Sequence, residues 1–166
     1  MRFVEGCDFE EFSRHLTKIG QYTAKGALEW LKGLMDSKHL NLIVFRENNE
    51  IIGHAIWHET NTQEHRKGEP REKEDREALK KLLGEKKDFV ELHEIWLIEE
   101  YRGRGYGKVF FAFFEGLMKN RGYYDVVFYA DHPAALAIFR KRGYEEGGYL
   151  KGPREYVFYL SLRKKK

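Results

Sequence analysis

Tyr101-Arg102-Gly103-Arg104-Gly105-Tyr106-Gly107-Lys108 is the stretch whose reading decides the fold. It stands between Phe89-Val90-Glu91-Leu92-His93-Glu94-Ile95-Trp96-Leu97-Ile98, an apolar, β-prone run, and a helical pattern from Lys108 to about Lys119. A strand, a glycine turn and a helix therefore follow one another. Glycines at three alternate positions bare the backbone amides, and the helix adds its unpaired first-turn N–H groups and the positive end of its dipole. Such a turn suits a phosphate. Two nucleotide motifs fail: G-x-G-x-x-G begun at Gly103 needs glycine where Lys108 stands, and a P-loop ending in Gly107-Lys108 needs glycine at Arg102 and Ser or Thr at Val109.

Around this turn, 166 residues with 42% apolar content can build one domain with a substantial core. The net charge is only +3, from 30 Lys and Arg against 27 Asp and Glu, so the overall field does not call for nucleic acid. The local excess, Arg163-Lys164-Lys165-Lys166, reads as a solvated end. Cys7 is the sole cysteine, which excludes an intrachain disulfide, and its place in a strand-to-helix turn makes it a poor nucleophile. With no signal peptide and no long apolar run, a cytoplasmic protein away from membranes is expected.

Arg2 to Gly6 reads as a first strand. Asp8 and Glu11 form a capping-box-like start for a helix to about Ile19, and a second helix is expected from about Thr23 to Met35. Leu40–Arg46 and Ile51–His58 flank Glu47-Asn48-Asn49-Glu50 as a hairpin. His54 and His58 share a face of its second strand and read as structural or edge histidines; no cluster of Cys, His and carboxylates points to a metal. Residues 61–87 are almost wholly polar and are expected to be a mobile insertion carrying one surface helix, from Pro70 to Gly84. After the glycine turn, Val109, Phe110, Phe113, Phe114 and Leu117 recur at helical spacing up to a stop at Gly122. Asp125–Ala130 is a short buried strand, parallel to the one before the turn. A last helix runs from His132-Pro133 to Gly143, and two strands joined at Gly152-Pro153 close the chain.

Two motifs resemble those of the GNAT acetyltransferase superfamily. Arg102-x-x-Gly105-x-Gly107 resembles its R/Q-x-x-G-x-G/A loop, and His132-Pro133-Ala134-Ala135-Leu136-Ala137-Ile138-Phe139-Arg140-Lys141-Arg142-Gly143-Tyr144 resembles N-x-x-A-x-x-F-Y-x-x-x-G-F. The resemblance implies an α/β (α+β) architecture over the whole of 1–166: a mostly antiparallel central sheet in which one parallel strand pair splays apart. It also implies acetyl-CoA as co-substrate. The pyrophosphate falls to the amides and positive charge of Arg102, Gly103, Arg104, Gly105, Tyr106, Gly107 and Lys108, and the pantetheine arm to the backbone of Trp96, Leu97 and Ile98. His132, Ala135 and Phe139 are carried over from the second motif.

The reaction so implied moves an acetyl group to a primary amine, borne by a small molecule or a protein, by direct attack. An alkylammonium with a pKa of about 10.4 is mostly protonated at pH 7, so a base is useful. Glu91, eleven residues before Arg102, matches the base of the histone-acetylating branch and is preferred; Glu94, at a position acidic in other branches, is the second candidate. A backbone N–H near Trp96 or Leu97 would meet the oxyanion. Phe139 stands where many relatives carry a proton-donating tyrosine, which leaves Tyr144, Tyr129 or a water as donor. For that reason the alternative is a CoA-binding sensor or interaction module with little turnover. Dimers are frequent among relatives, so a homodimer is in keeping with the resemblance.

Overall fold

The computed structural model describes residues 1–85, 87–152 and 154–163. Its strands are β1 (Arg2–Glu5), β2 (Asn41–Glu47), β3 (Glu50–Asn61), β4 (Asp88–Leu97), β5 (Asp125–Ala130), β6 (Glu145–Leu150) and β7 (Glu155–Ser161). The helices are α1 (Phe9–Lys18), α2 (Ala27–Asp36), α3 (Glu72–Leu83), α4 (Tyr106–Asn120) and α5 (Pro133–Lys141). Seven strands hydrogen-bond in the order β1-β2-β3-β4-β5-β7-β6. The pair β4–β5 is parallel, with Val90↔Val126, Glu91↔Val127 and Leu92↔Phe128 in register, and β1–β2, β2–β3, β5–β7 and β6–β7 are antiparallel. This is the mixed sheet expected from the motifs. None of the described helices is long and apolar enough to cross a membrane.

The chain divides into two compact units, Met1–His58 with His93–Tyr106, and Glu59–Leu92 with Gly107–Lys166. In the first, the Asp8 side chain accepts from the Glu11 amide and starts α1, whose Phe12 and Leu16 pack with Leu31, Leu42, Val44, Ile51 and Ile56. The β2–β3 turn is as short as a hairpin allows: Glu47 pairs with Glu50, and Asn48 and Asn49 both take left-handed φ, 49° and 66°. Helix α2 starts at Ala27 rather than near Thr23, because Tyr22 (φ 53°) and Gly26 (φ 79°) are left-handed and stop helix from running back. Gly53 on β3 is required by packing. A Cβ there would lie 2.5 Å from the Trp96 carbonyl oxygen and 2.7 Å from the Phe45 ring. Gly53→Ala is therefore expected to lower unfolding free energy by about 1–3 kcal/mol, read by urea denaturation; an unchanged midpoint would show that the strand yields freely.

In the second unit, α3 is seated along one face rather than lying wholly on the surface. Ala78, Leu79 and Leu83 are buried against Phe89, Val127, Leu150 and Val157, so a narrow apolar stripe suffices to seat a highly charged helix. Both carboxylate oxygens of Glu74 accept backbone amides of the β6–β7 turn, from Lys151 at 2.7 Å and Gly152 at 3.0 Å. Phe111, Phe128, Phe139, Tyr144 and Phe158 form an aromatic core with centroids 5.0 to 5.7 Å apart along successive contacts. Of the basic tail, Arg163 is paired with Asp125, at 2.8 and 2.6 Å; Lys164 to Lys166, like Pro153 of the closing turn, lie outside the described residues.

Candidate active site

The glycine turn leaves β4 through a single 3-10 turn, Glu99–Tyr101, and enters α4 at Tyr106. Amides of Tyr101 and Arg102 are used inside it, donating to Ile98 O and Glu99 O. From Gly103 to Tyr106, no backbone amide donates to an acceptor among the described residues. Gly103 and Gly105 hold φ of 73° and 82°, which side-chain-bearing residues rarely adopt, and the segment Arg102–Gly105 is exposed. A row of bare N–H groups at a helix start is what an anion needs. Farther on, Gly107 is also confined: a Cβ there would meet Ile138 Cδ1 at 3.1 Å.

Arg102 does something that its motif position does not disclose. Its Nε donates to the Leu97 carbonyl at 2.8 Å and its guanidinium lies 5.4 Å from the Trp96 ring centroid, so it braces the end of β4. The Ile98 amide is committed as well, to Ile52 O at 2.9 Å. Backbone groups alternate sides along a strand. With Ile98 turned to β3, Leu97 turns the other way, its carbonyl taken by Arg102.

Glu94, half-buried with a quarter of its side chain exposed, is held from several elements of the first unit. His54 Nε2 of β3 lies 2.5 Å from Oε1, and Tyr22 O–H donates to Oε2 at 3.3 Å. Gln21, with its amide nitrogen turned to Glu94, donates to Oε1 at 3.2 Å while its oxygen accepts from Trp96 Nε1 at 3.2 Å. Behind His54 stands His15 of α1, with Nε2 3.1 Å from His54 Nδ1. Burial works to raise the Glu94 carboxyl, but the hydrogen bond from His54, helped by His93 and Tyr22, outweighs it and holds the group below the usual carboxylate range. Burial, then the negative charge of Glu94, pushes the Tyr22 hydroxyl up to about 12. The left-handed backbone of Tyr22 is a local strain set beside this carboxylate.

Glu91 has different company, in the second unit. Only 3% exposed, it accepts from His65 Nε2 at 2.9 Å, and His65 Nδ1 lies 2.6 Å from the fully buried Asp75, which also accepts from Tyr129 O–H at 2.5 Å. The His65 and Tyr129 rings stack at 5.5 Å, and Arg66 covers Tyr129 at 4.4 Å while pairing with Glu155. Burial opposes charge on His65, yet the hydrogen bonds and charges of Asp75 and Glu91 prevail and raise it to about 9, so the ring is an imidazolium at neutral pH.

The second motif also lies in this unit. His132 caps α5, Nδ1 accepting the Ala134 amide at 3.2 Å; Ala135 is partly exposed on the helix; Phe139 is 2% exposed within the aromatic core. Tyr144 donates its hydroxyl to Glu115 and accepts from Arg142 Nε at 3.1 Å. Burial first, and Glu115 second, raise its pKa well above the ordinary tyrosine value. Sequence reading missed Gln21, Tyr22 and His15 around Glu94, and His65 and Asp75 around Glu91. The pairs lie between 10 and 73 residues apart and carry no motif spacing.

Residues 8–144 match the Acetyltransferase (GNAT) family, and the match runs through both units. No curated relative matches the chain by sequence. Among solved structures, an N-acetyltransferase from Staphylococcus aureus Mu50 is similar with a TM-score of 0.59 and 18% identity over 98% of this chain and 100% of that one. Arabidopsis thaliana NAA60 in complex with a bisubstrate analogue gives 0.60 and 14% over 96% and 98%. An agmatine N-acetyltransferase in its apo form gives 0.62 and 12% over 96% and 100%. At these identities the likeness is one of fold. The fold and the family match together place the chain in the acetyltransferase (GNAT) family, as an acyltransferase.

Proposed function

We propose that the protein transfers an acetyl group from acetyl-CoA to a primary amine by direct attack, with Glu94 as the base. The observation that carries this reading is the placement of Glu94: ionised, partly exposed, and held by His54 on one oxygen with only a long contact from Tyr22 on the other. A base must reach its substrate, which favours Glu94 over the enclosed Glu91. The bare amides of Gly103 to Tyr106 suit the pyrophosphate, with Gly107, Lys108 and Arg104 beside them in sequence. The backbone of Trp96 to Ile98 takes the pantetheine arm, and the Leu97 N–H meets the oxyanion.

In the transfer, the amine nitrogen attacks the thioester carbonyl, its proton passes to Glu94 directly or through water, and collapse of the tetrahedral adduct breaks the C–S bond. A thiol with an ordinary pKa of about 8.5 can leave as thiolate and be protonated by solvent, so the reaction does not need a tyrosine at Phe139. Tyr144 has its proton directed at Glu115. The acceptor is an amine, on a small molecule or a protein; an agmatine N-acetyltransferase among the similar folds makes small cationic amines the first panel to try.

The test is release of CoA thiol from acetyl-CoA that depends on added amine, with no labelled acetyl-protein in its absence. Binding without turnover across the panel would favour the sensor reading instead. Gly105→Ala is expected to raise the KM for acetyl-CoA about tenfold with little change in kcat, since about 1–2 kcal/mol of left-handed strain falls on the loop. An unchanged KM would remove the pyrophosphate from this turn.

A further inference from the structure

Behind Glu94 runs a column of two imidazoles that the reaction as written does not use. His54 is fully buried and His15 is 5% exposed; Glu94 Oε1, His54 Nε2, His54 Nδ1 and His15 Nε2 follow in line through contacts of 2.5 and 3.1 Å. The column ends at His15 Nδ1, which is buried and has no hydrogen-bond partner among the described residues. Burial above all, with the charge of Lys18 in the same sense, lowers His15 to about 4, so it carries a single ring proton at neutral pH.

Where that proton sits follows from what an orphaned atom costs. On Nδ1 it would be a buried donor with nothing to meet; on Nε2 it reaches His54 and leaves only a bare lone pair behind. The His15 Nε2–H therefore donates to His54 Nδ1. His54 must then carry its own proton on Nε2, where the acceptor-only carboxylate of Glu94 receives it. Phe12 packs edge-on against His54 at 5.2 Å, and the Trp96 ring lies parallel to it at 6.3 Å, so the imidazole has little freedom to turn over.

Resting on the reading of Glu94 as the base, we propose that His54 and His15 are positioning residues for the acyl transfer. His54 holds Oε1 of Glu94, so that Oε2 is presented to the amine proton, and His15 fixes the tautomer in which His54 can do so. The other groups facing the column are Gln21 and Tyr22 after α1, His93 on β4 and Lys18 on α1; of these Gln21 also donates to Oε1, at 3.2 Å against the 2.5 Å of His54.

The experiment follows kcat, KM and the pH dependence of kcat/KM for four variants alongside Glu94→Gln. His54→Phe is expected to lower kcat about 10- to 100-fold, leave the KM for acetyl-CoA within about twofold, and move the acidic limb to higher pH, because the carboxylate loses a donor. His54→Gln, which keeps an N–H, should restore the limb. His15→Phe should lower kcat in the same sense, and His15→Gln should recover it. Nitrogen-15 NMR of the wild-type imidazoles provides a readout apart from activity and unaffected by folding of the variants: His54 and His15 should both be protonated on Nε2 and bare on Nδ1. The opposite tautomers, or an acidic limb unmoved in His54→Phe, would overturn the positioning role. If Glu94→Gln alone abolishes turnover while both histidines are indifferent, the base stands and the column falls. If Glu94→Gln is fully active, the base reading itself has failed and takes the column with it.

Discussion

Glu94→Gln is expected to lower kcat by about 10²- to 10⁴-fold at pH 7 while leaving acetyl-CoA binding in place. The substitution is nearly isosteric, and the glutamine oxygen can still accept from His54 Nε2, which sits 2.5 Å from Oε1 in the wild type. What is lost is the second oxygen as a proton acceptor. The deficit should shrink as pH rises toward the amine pKa of about 10.4, because the nucleophile then arrives already neutral. In the wild type the lowered Glu94 pKa leaves the proposed base ionised at neutral pH, and the rise of activity on the alkaline side is expected to follow the amine. A Glu94→Gln profile parallel to the wild type at every pH would mean that the carboxylate orients substrate and does not take its proton.

The second large effect is on stability. His65 sits between Asp75 and Glu91, almost wholly buried, and its pKa is raised from 6.5 to about 9. The folded state therefore binds a proton more tightly than the unfolded chain. The stabilisation is fully present below pH 6.5, fades as pH climbs, and is gone above about 9; a shift of this size corresponds to about 3 kcal/mol. Asp75→Asn keeps the shape but removes one of the two charges that hold the imidazolium and a partner of Tyr129. It should cost about 3–5 kcal/mol at pH 6 and flatten the alkaline decline. Urea unfolding of both proteins at pH 6, 7.5 and 9.5 reads this. A wild-type midpoint that does not fall between pH 6 and 9.5 would show that His65 is neutral in the fold.

The elements with local causes were readable. Asp8 announces α1 through its own hydrogen bond, Asn48 and Asn49 tolerate the left-handed turn that pairs β2 with β3, and the alternate glycines mark the passage from β4 into α4. The start of α2 was misplaced because its N-cap, Gly26, is left-handed at φ 79° and closes the helix to the residues before it. Helix α3 misled for another reason. Its composition is that of a solvated helix, and Ala78, Leu79 and Leu83 become core only because β5, β6 and β7 supply apolar partners far along the chain. The resemblance offered Glu91 and Glu94 as candidate bases, and what separates them in the fold is the company of His65 and of His54. Both histidines looked unremarkable in sequence and are decided by tertiary neighbours.

The hold of Arg102 on the Leu97 carbonyl gives the end of β4 a polarity. A free strand end offers alternating donors and acceptors and tolerates a guest in either direction. Here the acceptor is already occupied, so a group coming to rest there finds no open Leu97 carbonyl for an N–H. On the proposed binding mode, the loop arginine closes this carbonyl to an incoming amide N–H, so that a side chain outside the strand restricts which way round an arriving chain can lie.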